Sequence, residues 1–209
     1  MRKKKNEIFT IIKEDILNNM RSYFIVVVIF IVGMLLGVMF INQVTDKSEI
    51  ENYINTYIDE TKLLQNADYF NELRNDIGKN MVLVLLLWFA GTTIIGIPIV
   101  LGVILFRGFC LGYTIASCVF VLGRAKAVIF IFITLLLQNI IFIPALMIIG
   151  VSCIKLYKSI IKDRIKESIK ISILKHTILS LMTFSVLIIS SIIKIEISYR
   201  LIVNVIKYF

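Results

Sequence analysis

The residue types that most often carry out chemistry in proteins are scarce in this sequence. It has one histidine, His176, and three cysteines, Cys110, Cys118 and Cys153, which lie in apolar stretches. One histidine cannot supply a ligand cluster, and three such thiols build neither a disulfide framework nor a zinc site. The sequence also has no phosphate-binding loop, metalloprotease motif or serine-hydrolase motif. We therefore predict no catalytic residues, no metal, no cofactor and no enzymatic activity.

A few polar or helix-bending residues interrupt the apolar stretches: Gly96, Pro98, Gln138, Asn139 and Pro144. Proline removes a backbone donor and clashes with the preceding turn, so we expect a break at Gly96-Ile97-Pro98. Amide side chains at the middle of a membrane span need partners on neighbouring helices. Gln138 and Asn139 therefore either hold helices together or line a solute pathway. The central parts of the spans have no Asp or Glu, which a proton-coupled transporter usually needs.

The composition indicates that these residues belong to a membrane protein. Of the 209 residues, 58% are hydrophobic and only 18% are charged, and the charges cluster between long uncharged stretches. The net charge of +9 comes from basic residues beside apolar spans, so membrane topology and anionic lipid explain it better than nucleic acid. We predict an all-α, polytopic integral membrane helical bundle.

About 20 apolar residues cross a hydrocarbon core of about 30 Å, and this length predicts about five transmembrane helices, one of them short or re-entrant. The short span lies in residues 101–122, which either cross fully or re-enter. The predicted segments are a basic interfacial helix (1–21), a first span (22–41), a helical loop (42–79), a core of spans two to four (80–154), a basic amphipathic helix (155–175), a fifth span (176–198) and a tail (199–209).

The charge distribution predicts the orientation of these segments. Lys and Arg are retained on the cytoplasmic side, and they cluster in residues 1–21 and 155–175, whereas acids outnumber bases in the 42–79 loop. We therefore expect a multi-pass protein of the cell (inner) membrane with its N-terminus in the cytoplasm. An arginine at the bilayer centre costs about 2.5 to 3.5 kcal/mol, so we expect Arg107 at the cytoplasmic edge between spans two and three.

Two rows of small residues predict close helix packing. Gly33 and Gly37 form a GxxxG pattern in the first span, and Gly108, Gly112 and Ala116 repeat the spacing in the third. Such rows let helix backbones approach closely. They serve either packing within one chain or contact between copies in a homo-oligomer.

Apolar residues at helical spacing also occur in the 42–79 loop: Ile50, Tyr53, Ile54, Tyr57, Ile58, Tyr69 and Phe70. They predict either a two-helix cap that packs on the bundle or on lipid, or a surface on which another protein docks.

Three motifs between Leu87 and Gly150 occur in an order and spacing that a known family shares. The motifs are Trp88-Phe89-Ala90-Gly91 through Ile95-Gly96-Ile97-Pro98, then Arg107-Gly108 with Gly112-Tyr113-Thr114, and Leu137-Gln138-Asn139 followed by Ile143-Pro144-Ala145. Together they resemble the stage II sporulation protein M family. The sequence departs from the family at Leu137, where a proline is common.

The resemblance implies a scaffold that takes part in forespore engulfment during sporulation. It implies recruitment of two membrane-anchored peptidoglycan hydrolases, stage II sporulation proteins D and P, at the septum or the engulfing membrane, with no hydrolysis by the chain itself. The alternative is a permease-like transport subunit that uses the Gly96-Pro98 break and the Gln138-Asn139 pair as a midplane site.

Overall fold

The computed structural model describes residue 14 and residues 16–43, 47–63, 69–93, 95–132, 135, 137–162 and 166–205. All regular structure in these ranges is helical. The helices are α1 (Met20–Gln43), α2 (Lys47–Leu63), α3 (Tyr69–Thr92), α4 (Gly96–Leu122), α5 (Arg124–Ile131), α6 (Leu137–Lys162) and α7 (Lys166–Val205). This architecture confirms the predicted all-α polytopic membrane bundle.

Four of the described helices are long and apolar enough to cross a membrane: α1, α4, residues Asn139–Ile161 of α6 and residues Ile169–Glu196 of α7. α3 also has 24 residues, about 36 Å of helix, but only its part after Lys79 is uncharged. α3 runs antiparallel to α7, with Asp76 beside Lys194 near one end and Gly91 beside His176 near the other. α3 therefore completes the bundle as a fifth long helix.

The chain reverses before Gly96 and does not bend at Pro98. The Thr92 hydroxyl donates to the Phe89 carbonyl at 2.7 Å and the Thr93 hydroxyl to the Ala90 carbonyl at 3.0 Å, which satisfies carbonyls at the end of α3. Pro98 lies in the first turn of α4, where a missing N–H costs nothing. The discontinuity thus lies between the end of α3 at Thr92 and the start of α4 at Gly96, and residues 101–122 form part of one continuous helix.

This reversal corrects the expected position of Arg107. The residue lies 11 positions after Gly96 in a helix of 27 residues, or about 16 Å along α4. Arg107 is therefore in the middle of a spanning helix and not at its edge. The sequence interpretation ended a span at the first charge, whereas the chain had already turned 14 residues earlier.

Two other predicted segments are divided differently in the structure. The apolar stretch 127–154 is shared between α5, which follows the turn at Gly123 (φ 74°), and α6, which continues through Pro144. The basic segment 155–175 forms no separate helix in the part of the chain that is described. It supplies the last turns of α6 and the first turns of α7, because helical periodicity continues across the predicted borders. Most of residues 1–21, and residues 206–209, lie outside the described ranges.

The core lies where α1, α3, α4, α6 and α7 meet. Its fully buried side chains include Val26, Leu87, Val100, Ile104 and Ile149. We call the end of the bundle that carries Gln43 and α2 the α2 end, and the opposite end, where α7 enters the bundle, the His176 end.

The two rows of small residues interlock α1 with α4, which run parallel. Gly33 and Gly37 face α4, and Gly108 and Gly112 face α1. A Cβ atom on any of these four glycines would overlap the backbone carbonyl oxygen of the other helix, that of Leu105, Phe109, Phe30 and Met34 respectively. Ala116, the last residue of the second row, is partly buried. The glycines of these two rows therefore contact each other's helices within one chain and are not available for contact with a second copy.

Candidate functional site

A cavity of about 950 Å³ lies between α3, α4, α6 and α7 at the α2 end of the bundle. Four basic side chains line it, Arg74, Lys79, Arg107 and Lys194, and among the described lining residues Asp76 is the one carboxylate. Arg74 and Lys79 are exposed, whereas Arg107 and Asp76 are partly buried and hence lie deeper. The lining therefore carries a formal charge of four minus one, or +3.

A polar network on α3 and α7 forms one wall of the cavity. The Lys194 ammonium donates to Asp76 Oδ1 at 2.6 Å, and Asn80 Nδ2 donates to Ser191 Oγ at 2.8 Å. Burial alone would raise the pKa of the Asp76 carboxyl, but the charge and hydrogen bond of Lys194 outweigh burial and hold this pKa below its ordinary value. Asp76, which lies one turn before the uncharged part of α3, is thus ionised at neutral pH and paired with Lys194.

Arg107 lies on the opposite wall without an anionic partner. Its guanidinium carbon is 5.2 Å from the ring centroid of Phe142, a cation–π distance that holds the group against α6. Among the side chains that the structure describes, none forms an ion pair or a hydrogen bond with Arg107. The cavity therefore contains a guanidinium whose hydrogen-bond donors are not used by any side chain in the described part of the chain.

Of the polar and helix-bending residues predicted within the spans, Asn139 lines this cavity, and the described residues Gly96, Pro98 and Pro144 do not. Its Nδ2 donates to the Leu135 carbonyl at 2.7 Å. Gly96 and Pro98 lie at the His176 end, so the break and the Asn139 amide do not form the expected midplane site. Pro144 is exposed, and the side chain of Gln138 lies outside the described part.

The predicted partner surface on α2 is largely used by the chain itself. Ile50 and Ile54 are fully buried, and Ile54 packs with Cys118, Ala127 and Phe130. The Tyr53 hydroxyl is 3.3 Å from Thr114 Oγ1, and its ring centroid is 5.4 Å from that of Tyr113. The side chains of Tyr57 and Ile58 lie outside the described part. Ile50 and Ile54 therefore pack within the chain itself and are not accessible to a partner in this conformation.

What remains exposed at the α2 end is mainly polar. The outward side of α2 presents Glu49, Glu51, Asn52, Asn55 and Asp59. Phe70 is 75% exposed, with the Tyr69 ring at 5.8 Å beside it. A partner that reached this end would meet an acidic helix face together with exposed aromatic side chains, among them Phe70 and the 41% exposed Tyr53.

The His176 end contains a buried polar cluster without a carboxylate. His176 Nδ1 is 2.8 Å from Ser152 Oγ, and Nε2 has no hydrogen-bond partner among the described residues. Gly91 admits the ring, since a Cβ there would lie 2.8 Å from Nε2. Cys153 donates to the Leu87 carbonyl at 3.5 Å. In the described part of the chain no His, Cys, Asp and Glu side chains are grouped in a way that could hold a metal ion.

Sequence reasoning did not identify Asp76, Lys194 and Arg107 as parts of one site. A signal for the first two exists, since Asp76 and Asn80 are four residues apart and Ser191 and Lys194 are three apart. The predicted topology also puts both pairs at the same membrane face. No comparable signal exists for Arg107, whose position depends on where α4 begins.

Comparison with known proteins gives one match. A family model described as Stage II sporulation protein M matches residues 26–196. The matched region extends from α1 through most of α7 and includes every residue that lines the cavity. No curated protein and no solved structure matches the chain.

Proposed function

Because the chain belongs to the stage II sporulation protein M family, and is thus a sporulation-related membrane protein, we propose that it is a non-catalytic scaffold. It recruits and organises peptidoglycan hydrolases at the septal membrane during forespore engulfment. The observation that carries this proposal is the family match over residues 26–196.

The scaffold needs a contact surface on the side of the membrane where peptidoglycan lies. With the N-terminus in the cytoplasm, as the basic residues of 1–21 predict, α2 and the start of α3 face that side. The exposed side chains there include Glu49, Glu51 and Phe70. We therefore place the contact with membrane-anchored hydrolases resembling stage II sporulation proteins D and P on this acidic and aromatic surface, and not on Ile50 and Ile54.

The test is a crosslinked, detergent-solubilised pull-down from cells at the time of septum formation, with partners identified by mass spectrometry. Wild-type protein should recover cell-wall hydrolases, and the combined change Glu49→Lys, Glu51→Lys and Phe70→Ser should reduce that recovery. These side chains are exposed, so the variant should remain folded and inserted in the membrane.

The matched control is Ile95→Ser, which replaces an 81% exposed apolar side chain at the His176 end. It should recover hydrolases as the wild type does. Full recovery by the triple variant would move the contact surface elsewhere. Absence of hydrolases from the wild-type sample would contradict the scaffold function itself.

The cavity supports a second candidate function, a permease-like transport subunit. Cys110 lines the cavity, whereas Cys118 and Cys153 are buried, so Cys110 reports solvent access without any mutation. A transporter should expose Cys110 to membrane-impermeant thiol reagents from both sides of the membrane, in right-side-out and in inverted vesicles. Labelling from one side only would contradict transport and would indicate that the cavity is closed at the His176 end.

A further inference from the structure

We propose that the cavity at the α2 end binds a phosphate-class oxyanion, with Arg107 as its principal ligand and Arg74 and Lys79 nearer the opening. This inference is independent of the scaffold function, because it concerns a site within the bundle and not the outer contact surface.

The first argument for an anionic ligand is the charge balance of the cavity. Lys194 is neutralised by Asp76 at 2.6 Å, and the described lining has no second carboxylate to neutralise Arg74, Lys79 and Arg107. Arginine within a membrane-spanning helix is costly unless it meets water or an anion, and such residues mark binding sites and pathways. An anionic ligand would relieve this cost more fully than water does, because it supplies the opposite charge, whereas a cation would add to the repulsion.

The second argument is the geometry of Arg107. Phe142 holds the guanidinium at 5.2 Å from its ring centroid, and the nearest lining carboxylate, Asp76, is already engaged by Lys194. A positioned guanidinium offers a planar fork of donors that matches two oxygens of a phosphate. The arginine is therefore positioned for a ligand that the described side chains do not supply.

Two sources can deliver a phosphate group to this position. The volume of about 950 Å³ is far larger than one phosphate and has room for a lipid headgroup. Val82 also lines the cavity and is 65% exposed on the outer surface of α3, so the cavity lies beside the lipid-facing surface of the bundle. A free phosphate from the aqueous side is the other source, through the opening beside Arg74 and Lys79.

The experiment uses the full-length chain and two probes. Native mass spectrometry counts phosphatidylglycerol molecules retained after release from nanodiscs that contain phosphatidylglycerol and phosphatidylcholine. Titration calorimetry in an uncharged detergent measures binding of inorganic phosphate. Arg107→Gln should weaken whichever probe binds by about tenfold or more, since charged hydrogen bonds are lost. Arg124→Gln, a matched change of an exposed arginine outside the cavity, should leave binding unchanged.

The outcomes separate the two sources. Arg107-dependent retention of phosphatidylglycerol, without phosphate binding, supports a lipid headgroup, and Arg107-dependent phosphate binding supports a free anion. Equal binding by wild type and Arg107→Gln, or no saturable binding of either probe by wild type, overturns the proposal. If Arg107→Gln does not elute as a folded protein, the double change Arg74→Gln and Lys79→Gln takes its place. Both side chains are exposed, so this variant should fold and still bind the probe several-fold more weakly.

Discussion

The close packing of α1 against α4 predicts that alanine is tolerated at one glycine of α4 and not at another. In Gly112→Ala, the new Cβ would lie 2.8 Å from the carbonyl carbon of Met34 and closer still to its oxygen. These are backbone atoms of a helix and cannot rotate away. In Gly102→Ala, on the same helix, the Cβ would meet no atom within 4 Å. The two variants therefore add the same methyl group with opposite effects on the stability of the protein.

The expected magnitude follows from these distances. Real Cβ contacts essentially never fall below 3.0 Å, so α1 and α4 must separate locally by about 1 Å, which forfeits a quarter to a half of each dispersion contact across the gap. Overpacking of this kind destabilises by about 1 to 3 kcal/mol. Gly102→Ala removes a flexible glycine from a helix interior and should stabilise by about 0.5 to 1 kcal/mol.

The assay is the loss of the monodisperse size-exclusion peak after heating in detergent, which gives an apparent Tm for an irreversible transition. For a chain of this size a change of 1 kcal/mol in the free energy of unfolding shifts the Tm by about 2 to 4 °C, so Gly112→Ala should lower the apparent Tm by about 2 to 12 °C. Gly102→Ala should leave it unchanged or raise it slightly. If Gly112→Ala survives heating as well as Gly102→Ala, α1 and α4 do not approach as closely as the structure indicates.

Two further predictions concern the α2 end. The pKa of Asp76 is held below 3.8, so its ion pair with Lys194 contributes stability that is complete above about pH 4 and lost as pH falls through the lowered pKa. Asp76→Asn should therefore lower the free energy of unfolding by about 1 to 2 kcal/mol at pH 7. Because the variant has no carboxyl to protonate at this position, its stability should fall less than that of the wild type below pH 4. Equal losses of stability in the two proteins as the pH falls would contradict this reasoning. Ile54→Ala should destabilise by about 2 to 5 kcal/mol, because the side chain is fully buried. Asn55→Ala on the exposed side should stay within about 0.5 kcal/mol, and equal apparent Tm values for these two variants would contradict the cap packing.

The positions of the helix ends show where sequence reasoning was insufficient. Gly96 and Pro98 correctly indicated a discontinuity, but proline is compatible with the first turn of a helix and disrupts only its interior. Whether the chain bends or reverses there depends on how α3 ends, and that end is made by Thr92 and Thr93 bonding back to their own helix. The misplacement of Arg107 followed directly from this ambiguity.

The α2 residues show the same limit at the surface. Spacing identified one apolar side of the helix, with Ile50 and Ile54 on it, and periodicity alone cannot say whether lipid, a partner or the chain itself covers that side. In the structure Ile54 packs against Cys118 of α4 and Ala127 and Phe130 of α5, which follow Ile54 in the sequence by 64 to 76 positions.

The sequence by itself determined that this is an all-α membrane bundle of the stage II sporulation protein M family. It could do so because long apolar stretches in lipid must satisfy their backbone hydrogen bonds within helices, and because the family motifs are local and ordered. It also indicated which helix faces allow close approach, since small residues recur at Gly33, Gly37, Gly108 and Gly112. Only the tertiary structure decided that these two rows meet each other. Packing alone brought Asp76 to Lys194, 118 residues away, and Arg107 to a cavity whose one described carboxylate is paired with that lysine.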